Sequence, residues 1–347
     1  MIFPRSRGGG NAAPRRWWIA GMVLMMAGPG LTGCASTPRI PANVILHDVH
    51  NNGYALAFDT ASKVLASGGS EGRIRLWSLP EGTELGGWTA HDGSLQGLQF
   101  LNHDREILSA GYDGLLALWT REGKLIKRLA TPSPVTDMVA DEATALVVTG
   151  HRDGHVRLWH LTDFALLQDL PLHRGAVRAV AYHPATRQVA SGGTDGVVFY
   201  WRPGEQPRSL PAPPTDAQDL AFAPAGDILL GSGWFNLFRW RLADASLTVL
   251  PTAHRGIVKS ISFDRDGRQL ASIGRQTDSA VYLLDAQTGN VLQRFQPHEL
   301  CGTVVLFSPD GRYLASTSDD ANIHLWDLRN LLPERVFYNS GTADERR

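Results

Sequence analysis

The sequence predicts an all-β protein built from seven similar four-stranded antiparallel sheets. Its clearest feature is a tryptophan that recurs at Trp77, Trp119, Trp159, Trp201, Trp240 and Trp326. The intervals are 39 to 42 residues, except the last, which spans two periods with Leu284 at the intermediate position. Short alternating apolar segments lie between Asp-Gly turns, which is typical of strands joined by hairpins. A period of about 42 residues accommodates four strands, so seven repeats fill residues 43–330.

We expect these sheets to close into a ring because each has two faces to bury. One such sheet cannot bury both of its faces, whereas seven stacked in a ring bury them against neighbours and leave no open end. Residues 43–46 stand where an outer strand belongs, and we predict that they complete the sheet containing Trp326. Residues 335–338 are an alternative closing strand, and the sequence leaves this choice open.

Composition narrows the class of protein. Of 347 residues, 43% are hydrophobic and 19% charged, which excludes a disordered chain. The 36 glycines and 20 prolines disfavour long helices. The net charge of −1 includes four arginines and no acid in residues 1–33, so the remainder is mildly acidic and unsuited to nucleic acid. Only Cys34 and Cys301 are present, so a disulfide framework is excluded.

The first 33 residues have the pattern of a signal peptide. Arg15 and Arg16 precede an apolar run over residues 17–28, which would span about 18 Å as a helix, short of the ~30 Å of a bilayer core. The sequence Leu31-Thr32-Gly33-Cys34 follows and resembles the lipobox of bacterial lipoproteins. The alternative is an ordinary secretory signal with a chance cysteine at its cleavage site.

The lipobox resemblance implies a cellular location as well as a lipid modification. Cys34 would carry the lipid, with residues 34–42 as a short tether. The residue after the cysteine is Ala35 and not an aspartate. In Gram-negative lipoproteins this implies sorting to the outer membrane, facing the periplasm. Stable attachment needs more than one lipid chain, as such lipoproteins carry.

The repeats resemble the WD40 family of β-propellers, although only Trp326-Asp327 keeps the dipeptide that gives the family its name. The resemblance implies a seven-bladed propeller around a central channel over residues 43–330, followed by a tail over residues 331–347. It also implies a role in binding other proteins.

A set of His, Ser, Asp and Trp recurs three times at one spacing. The three tetrads are His91, Ser109, Asp113 and Trp119; His173, Ser191, Asp195 and Trp201; and His298, Ser316, Asp320 and Trp326. A catalytic triad uses similar residue types, but three copies in one register indicate architecture. The WD40 resemblance implies that each tetrad is a buried hydrogen-bond network that stabilises its blade.

Other repeats depart from this pattern. The first has Val49 at the His position, and the third has Thr131 there. The sixth keeps His254 and Ser272, but insertions displace Asp278 and leucine replaces tryptophan. The fifth keeps only its tryptophan. We expect these blades to be looser or to depend on apolar packing.

The fifth repeat also has Trp234 and Phe235 in a Gly-rich turn, on the face where WD40 proteins most often bind partners. Exposed aromatic residues are enriched in binding hot spots; the alternative is that the rings fold inward. The predicted partner-binding face comprises Tyr112, Arg152, Arg178, Trp234, Phe235 and Lys259. Such a face would suit an acidic or extended peptide.

These observations favour a monomeric, non-catalytic interaction scaffold without a cofactor. His151 and His155 lie in a predicted turn, which disfavours a metal site, and Cys301 is expected to be a small buried residue. Two alternatives remain open: an accessory factor for outer-membrane protein assembly, and a propeller enzyme (a hydrolase, lyase or dehydrogenase) with its active site at the channel mouth. The second would need a unique cluster of carboxylates, histidines or metal, and the sequence shows none.

Overall fold

The computed structural model describes residues 39–276 and 278–330, which form seven four-stranded antiparallel sheets. The predicted all-β, seven-bladed architecture is confirmed. The expected signal-peptide helix, Cys34 and the C-terminal tail lie outside the described residues.

The blades follow one another along the chain, each running from the inner strand outward after the initial strand β1 (Val44–Leu46). Blade 1 has β2 (Gly53–Phe58), β3 (Val64–Gly69), β4 (Arg73–Ser78) and β5 (Glu84–Thr89). Blade 2 has β6 (Leu95–Leu101), β7 (Glu106–Gly111), β8 (Leu115–Thr120) and β9 (Leu125–Ala130). Blade 3 has β10 (Val135–Asp141), β11 (Leu146–His151), β12 (His155–His160) and β13 (Leu166–Pro171).

The remaining blades repeat the arrangement. Blade 4 has β14 (Val177–His183), β15 (Gln188–Gly193), β16 (Val198–Trp201) and a short β17 (Arg208–Ser209). Blade 5 has β18 (Asp219–Phe222), β19 (Ile228–Ser232), β20 (Asn236–Arg241) and β21 (Ser246–Pro251). Blade 6 has β22 (Ile257–Phe263), β23 (Gln269–Arg275), β24 (Val281–Asp285) and β25 (Val291–Arg294). Blade 7 has β26 (Gly302–Phe307), β27 (Tyr313–Ser318) and β28 (Ile323–Asp327), and a 3₁₀ turn (Leu328–Asn330) follows.

The ring is closed by the first strand of the chain. β1 pairs with β28 in antiparallel register, with Val44 opposite Leu325 and Leu46 opposite Ile323. This strand completes blade 7, as predicted from the sequence, whereas the alternative residues 335–338 lie outside the described part. Just before β1, Ile40 exchanges backbone hydrogen bonds with Arg294 and Gln296 of blade 6, both 2.8 Å. The N-terminal segment therefore connects blades 6 and 7.

The core lies between successive blades. Leu95 and Ile107 of blade 2, both fully buried, belong to one apolar cluster with Ala66 and Ile74 of blade 1, and corresponding clusters fill the other interfaces. Side chains of the inner strands add polar links between blades. Asp137 accepts a hydrogen bond from the Val180 amide of blade 4 (2.7 Å) and Asp219 from the Ile261 amide of blade 6 (2.9 Å). These carboxylates tie neighbouring inner strands together around the channel.

In the described part of the chain, no helix has the length and apolar composition needed to cross a bilayer.

Candidate functional site

Blade 2 shows the geometry of a complete tetrad. The Trp119 indole Nε1–H donates to Ser109 Oγ (2.9 Å), and that oxygen lies 2.8 Å from His91 Nε2. His91 Nδ1 faces Asp113 at 3.0 Å. Because a carboxylate only accepts, the His91 proton is on Nδ1 and the Ser109 hydroxyl donates to Nε2. Ser109 is fully buried, so its hydroxyl is shielded from solvent and links β7 to the tryptophan of β8 and to the His91 loop.

Blades 1 and 3 also contain a histidine, but at positions that the repeat spacing did not predict. In blade 1 the ring is that of His50, not Val49; it bonds to Ser67 Oγ (2.9 Å) and to Glu71. In blade 3 the ring is that of His151, which bonds to Thr149 Oγ1 (2.8 Å) and the Ser133 carbonyl (3.0 Å). The assignments to Val49 and Thr131 were therefore wrong.

Physical reasons for both positions lie in the local backbone. Residues alternate across a strand, so His151 shares the face of Thr149 two residues before it on β11. Thr131 instead donates its hydroxyl to backbone oxygens of Gly114 and Ser133, both 2.8 Å. In blade 1, the loop before β2 places His50 one residue later than the common spacing requires.

Blades 4 and 7 retain the His–Ser–Asp part of the tetrad but lose the tryptophan. His173 lies 2.9 Å from Ser191 Oγ and His298 lies 2.8 Å from Ser316 Oγ, with Asp195 and Asp320 on their other nitrogens. The tetrad membership predicted for Trp201 and Trp326 is wrong. Trp201 Nε1 is buried without a partner in the described part, and Trp326 Nε1 donates to the Ile40 carbonyl (3.3 Å).

The cause is a ring two residues before each of these tryptophans. Phe199 stands edge-on to His173 with centroids 5.2 Å apart, and His324 stacks on His298 at 3.9 Å. Blade 2 has the small Ala117 at that position. An aromatic ring packed against the histidine therefore takes the space through which the indole would reach the hydroxyl.

Blade 6 keeps its polar network despite the inserted residues. His254 lies 2.9 Å from both Asp278 Oδ1 and Ser272 Oγ. Leu284 is fully buried at the tryptophan position, as the spacing predicted.

Blade 5 replaces the network with apolar packing. Gly231 occupies the hydroxyl position, and a Cβ there would come within 2.9 Å of the Trp240 ring. Trp240 packs against fully buried Phe238 (centroids 6.1 Å) and its Nε1–H donates to the Pro211 carbonyl (2.9 Å). The expectation that this blade depends on apolar packing fits these contacts.

The Trp234–Phe235 turn of blade 5 faces outward in part. Phe235 is 48% exposed and has a positive φ of 62°, which is unusual for a bulky residue. Trp234 is half-buried, with its ring centroid 5.8 Å from that of Phe235. The Phe235 amide donates to the Gly256 carbonyl (2.9 Å), so the blade 6 side of the turn holds the exposed ring in place. Neither ring replaces the missing network.

The other predicted face residues form two separate groups. The Arg152 guanidinium lies 5.9 Å from the Tyr112 ring centre, a cation–π contact between the turns of blades 2 and 3. Arg178 and Lys259 instead line the central channel, a cavity of about 250 Å³. Arg178 Nε bonds to Asp216 (3.1 Å), so its charge is already paired.

Two carboxylates that the sequence reasoning missed also line this channel. Burial raises the pKa of Asp137 to about 7, and it also raises the pKa of Asp219. Burial lowers the pKa of Lys259, an effect opposed by its attraction to both carboxylates. The channel is therefore mixed in charge and is not the basic surface that Arg178 and Lys259 suggested. The signal in the sequence was an aspartate followed directly by apolar residues on an inner strand, Met138 after Asp137 and Leu220 after Asp219.

The two histidines and the cysteine singled out in the sequence lie apart from any metal-binding arrangement in the described part of the chain. His151 ends β11 and His155 begins β12, where His155 bonds to Asp169 at 2.6 Å. Residues 39–276 and 278–330 contain no group of three or more His, Cys, Asp or Glu side chains placed to hold a metal ion. Cys301 is half-buried, not buried as expected.

Parts of the chain are similar in sequence to known proteins. The family model "WD domain, G-beta repeat" (WD40) matches residues 44–78, 123–160, 164–202 and 289–327. These four segments are similar to the WD40 repeat model and together make up less than half of the chain. No match covers residues 203–288, which include all of blade 5, where the His–Ser–Asp set is absent.

Curated relatives are similar to this chain over part of their length. The chain is 31% identical to nuclear distribution protein PAC1 of Arthroderma benhamiae over 48% of this chain and 38% of that protein. It is 24% identical to human striatin-4 over 70% and 36%, and 21% identical to periodic tryptophan protein 2 of Arabidopsis thaliana over 81% and 29%. The chain thus spans about two fifths or less of the length of these relatives.

The tetrad hydroxyl should be a measurable source of stability. Ser109→Ala leaves buried polar atoms of His91 and Trp119 unpaired, and we expect a loss of about 1–3 kcal/mol in the free energy of unfolding. Ser232 is the matched control, because its Oγ is buried without a partner in the described part; Ser232→Ala should be neutral or slightly stabilising. Urea denaturation measures both, and equal effects would contradict the proposed role of Ser109.

The stacked histidines of blade 7 predict acid sensitivity. Burial, and then the neighbouring His298, lower the pKa of His324 to about 4, below the ordinary histidine value of about 6.5. Because the folded pKa is depressed, the unfolded chain binds more protons, so stability falls as pH drops from about 6.5 towards 4, by at most roughly 3 kcal/mol from this group. His324→Phe should flatten the dependence of melting temperature on pH in that window. An unchanged slope would show that His324 does not titrate as described.

Proposed function

We propose that this protein is a membrane-anchored propeller that binds partner proteins without catalysing a reaction. The proposed binding face is the one that carries the Trp234–Phe235 turn. Support comes from the WD40 repeats, since proteins of this repeat family bind other proteins through such faces. Further support comes from the tetrads, whose serine and threonine hydroxyls are buried inside blades and serve packing. The chain covers only part of its curated relatives, so their activities are not transferred to it.

The observation that carries the proposal is the turn of blade 5. Phe235 is exposed and backbone-strained, yet its backbone is fixed by hydrogen bonds to Gly256 and Thr252. A non-glycine residue with positive φ costs of order 1–3 kcal/mol and persists where the surroundings impose it, most often at functional sites. A fixed, exposed aromatic pair is a low-entropy anchor for a partner.

The other residues of that face form a polar group that is separate from the Trp234–Phe235 pair. Arg152 has no acidic partner among the described residues and stacks on Tyr112, which is 38% exposed. We propose that this pair contacts the partner's periphery, with the Trp234–Phe235 pair at the centre. Lys259 is left out of the face because it lies in the channel near Asp137 and Asp219.

The proposed anchor is a lipid on Cys34. Ile40 is tied to the junction of blades 6 and 7, and the six residues from Cys34 to Arg39 that precede it reach at most about 22 Å when extended. Lipidation would therefore keep this junction close to the membrane surface. By the lipobox resemblance and Ala35, we assign the anchor to the periplasmic face of the outer membrane.

The interaction face can be tested by affinity purification from detergent-solubilised membranes. Phe235→Ala and Trp234→Ala should each reduce recovery of a specific partner by about tenfold or more, as expected for hot-spot residues. Leu167→Ala is the control, because Leu167 is 53% exposed on the outer strand of blade 3. Variants should keep the melting temperature within a few degrees. Recovery of the same proteins in the same amounts by all variants would rule out this face.

The anchor requires a separate test, since a scaffold could act without it. Cys34→Ser should move the protein from the membrane fraction to the soluble fraction and abolish incorporation of labelled palmitate. Cys301→Ser is the matched control and should leave both unchanged. Membrane retention of Cys34→Ser would contradict lipid anchoring and leave the interaction face to be judged by its own experiment.

A further inference from the structure

One position of the repeat faces the next blade and is apolar almost everywhere. It immediately precedes the tryptophan position. The residues there, in blade order, are Leu76, Leu118, Leu158, Tyr200, Arg239, Leu283 and Leu325. All but Arg239 belong to, or pack against, the apolar cluster shared with the following blade. Blade 5 therefore presents an arginine where the other six blades present an apolar or aromatic filler.

This substitution coincides with a pocket. A cavity of about 360 Å³ opens between blades 5 and 6, beside Arg239. Its apolar lining includes Ile228 and Leu230 of β19, Phe263 of β22 and Ala286 after β24. The apolar cluster between these two blades does not include Arg239. The space that leucine or tyrosine fills at the other interfaces is thus left open here, beside the Arg239 guanidinium.

The charge of Arg239 is available to a ligand. Its Nη1 donates to the Gln287 carbonyl of blade 6 (2.8 Å), and the residue forms no ion pair with another described residue. A guanidinium has five N–H donors, so most remain for a ligand while this bond holds the side chain across the pocket. Arg241 also lines the cavity, but its charge is balanced by Asp244. The lining residues, all in the described part of the chain, include no aspartate or glutamate.

We infer that the pocket between blades 5 and 6 binds a small organic carboxylate, its apolar body against Leu230 and Phe263 and its carboxylate on Arg239. The volume lies at the lower end of the range for small-molecule sites, which are mostly apolar with a few fixed polar groups. Arg239 supplies the geometry for a two-bond contact with a planar carboxylate. This site is separate from the proposed partner-binding face and goes beyond the scaffold function, so either can fail alone.

The probe for this site is 4-phenylbutyrate, with 4-phenylbutanamide as its uncharged isostere. Both have an aromatic body and a short chain that the cavity volume accommodates. Ligand-observed NMR on the full chain should show binding of the acid with a dissociation constant in the millimolar range or tighter. The amide should bind at least tenfold more weakly.

Three variants separate pocket, charge and general electrostatics. Arg239→Leu restores the filler of the other blades and should abolish binding while keeping or raising the melting temperature. Arg239→Gln keeps the opening and should bind acid and amide alike. Arg208→Leu removes an exposed arginine of blade 4 and should bind like the parent protein. Equal binding of acid and amide by the parent, no binding of the acid, or undiminished binding by Arg239→Leu would each overturn the inference.

Discussion

Each blade of this ring buries both faces of its sheet against two neighbours, so an open end would expose an apolar face and an unpaired strand edge. Closure depends on β1, which crosses from the start of the chain to complete blade 7 and pairs with β28. The contact joins residues about 280 positions apart, Val44 and Leu325 among them. Such distant pairing carries a large loop-closure entropy cost, which slows folding. The polar links of the inner strands, such as Asp137 to Val180, then hold neighbouring blades in register.

The polar networks inside the blades solve one problem in several ways. A buried hydroxyl between two strands needs partners, and a histidine with a carboxylate behind it supplies them. Blade 1 uses Glu71 in place of aspartate, and blade 3 takes its histidine from the strand itself. Where an aromatic ring packs on the histidine, as Phe199 does in blade 4, the tryptophan leaves the network. The position of the hydroxyl is therefore kept more closely than the identity of its partners.

These differences set the limit of what the sequence could predict. The repeat period determined the number of blades. Spacing identified the recurring set that includes His91, Ser109 and Asp113, and the WD40 resemblance implied that each set forms a buried network. Spacing failed where the partner came from a different register, as with His50, because a loop of changed length moves a side chain without changing the period. It also could not show that Lys259 shares the channel with Asp219. That proximity is a product of seven inner strands converging on one axis.

Blade 5 combines the three largest departures from the repeat, and they have a common physical origin. Without the tetrad hydroxyl, the Trp240 ring packs directly over Gly231. The adjoining turn also lacks the aspartate that bonds to a histidine in blades 2, 4, 6 and 7. That turn can then present Phe235 outward, held by backbone bonds to blade 6. On the same sheet, Arg239 occupies a core position at which the other six blades have an apolar or aromatic residue. The second and third changes each leave a recognisable chemical group at least partly exposed, the Phe235 ring and the Arg239 guanidinium. The loss of the polar network and the two surfaces proposed to bind ligands therefore fall in one blade, as expected where stability is exchanged for recognition.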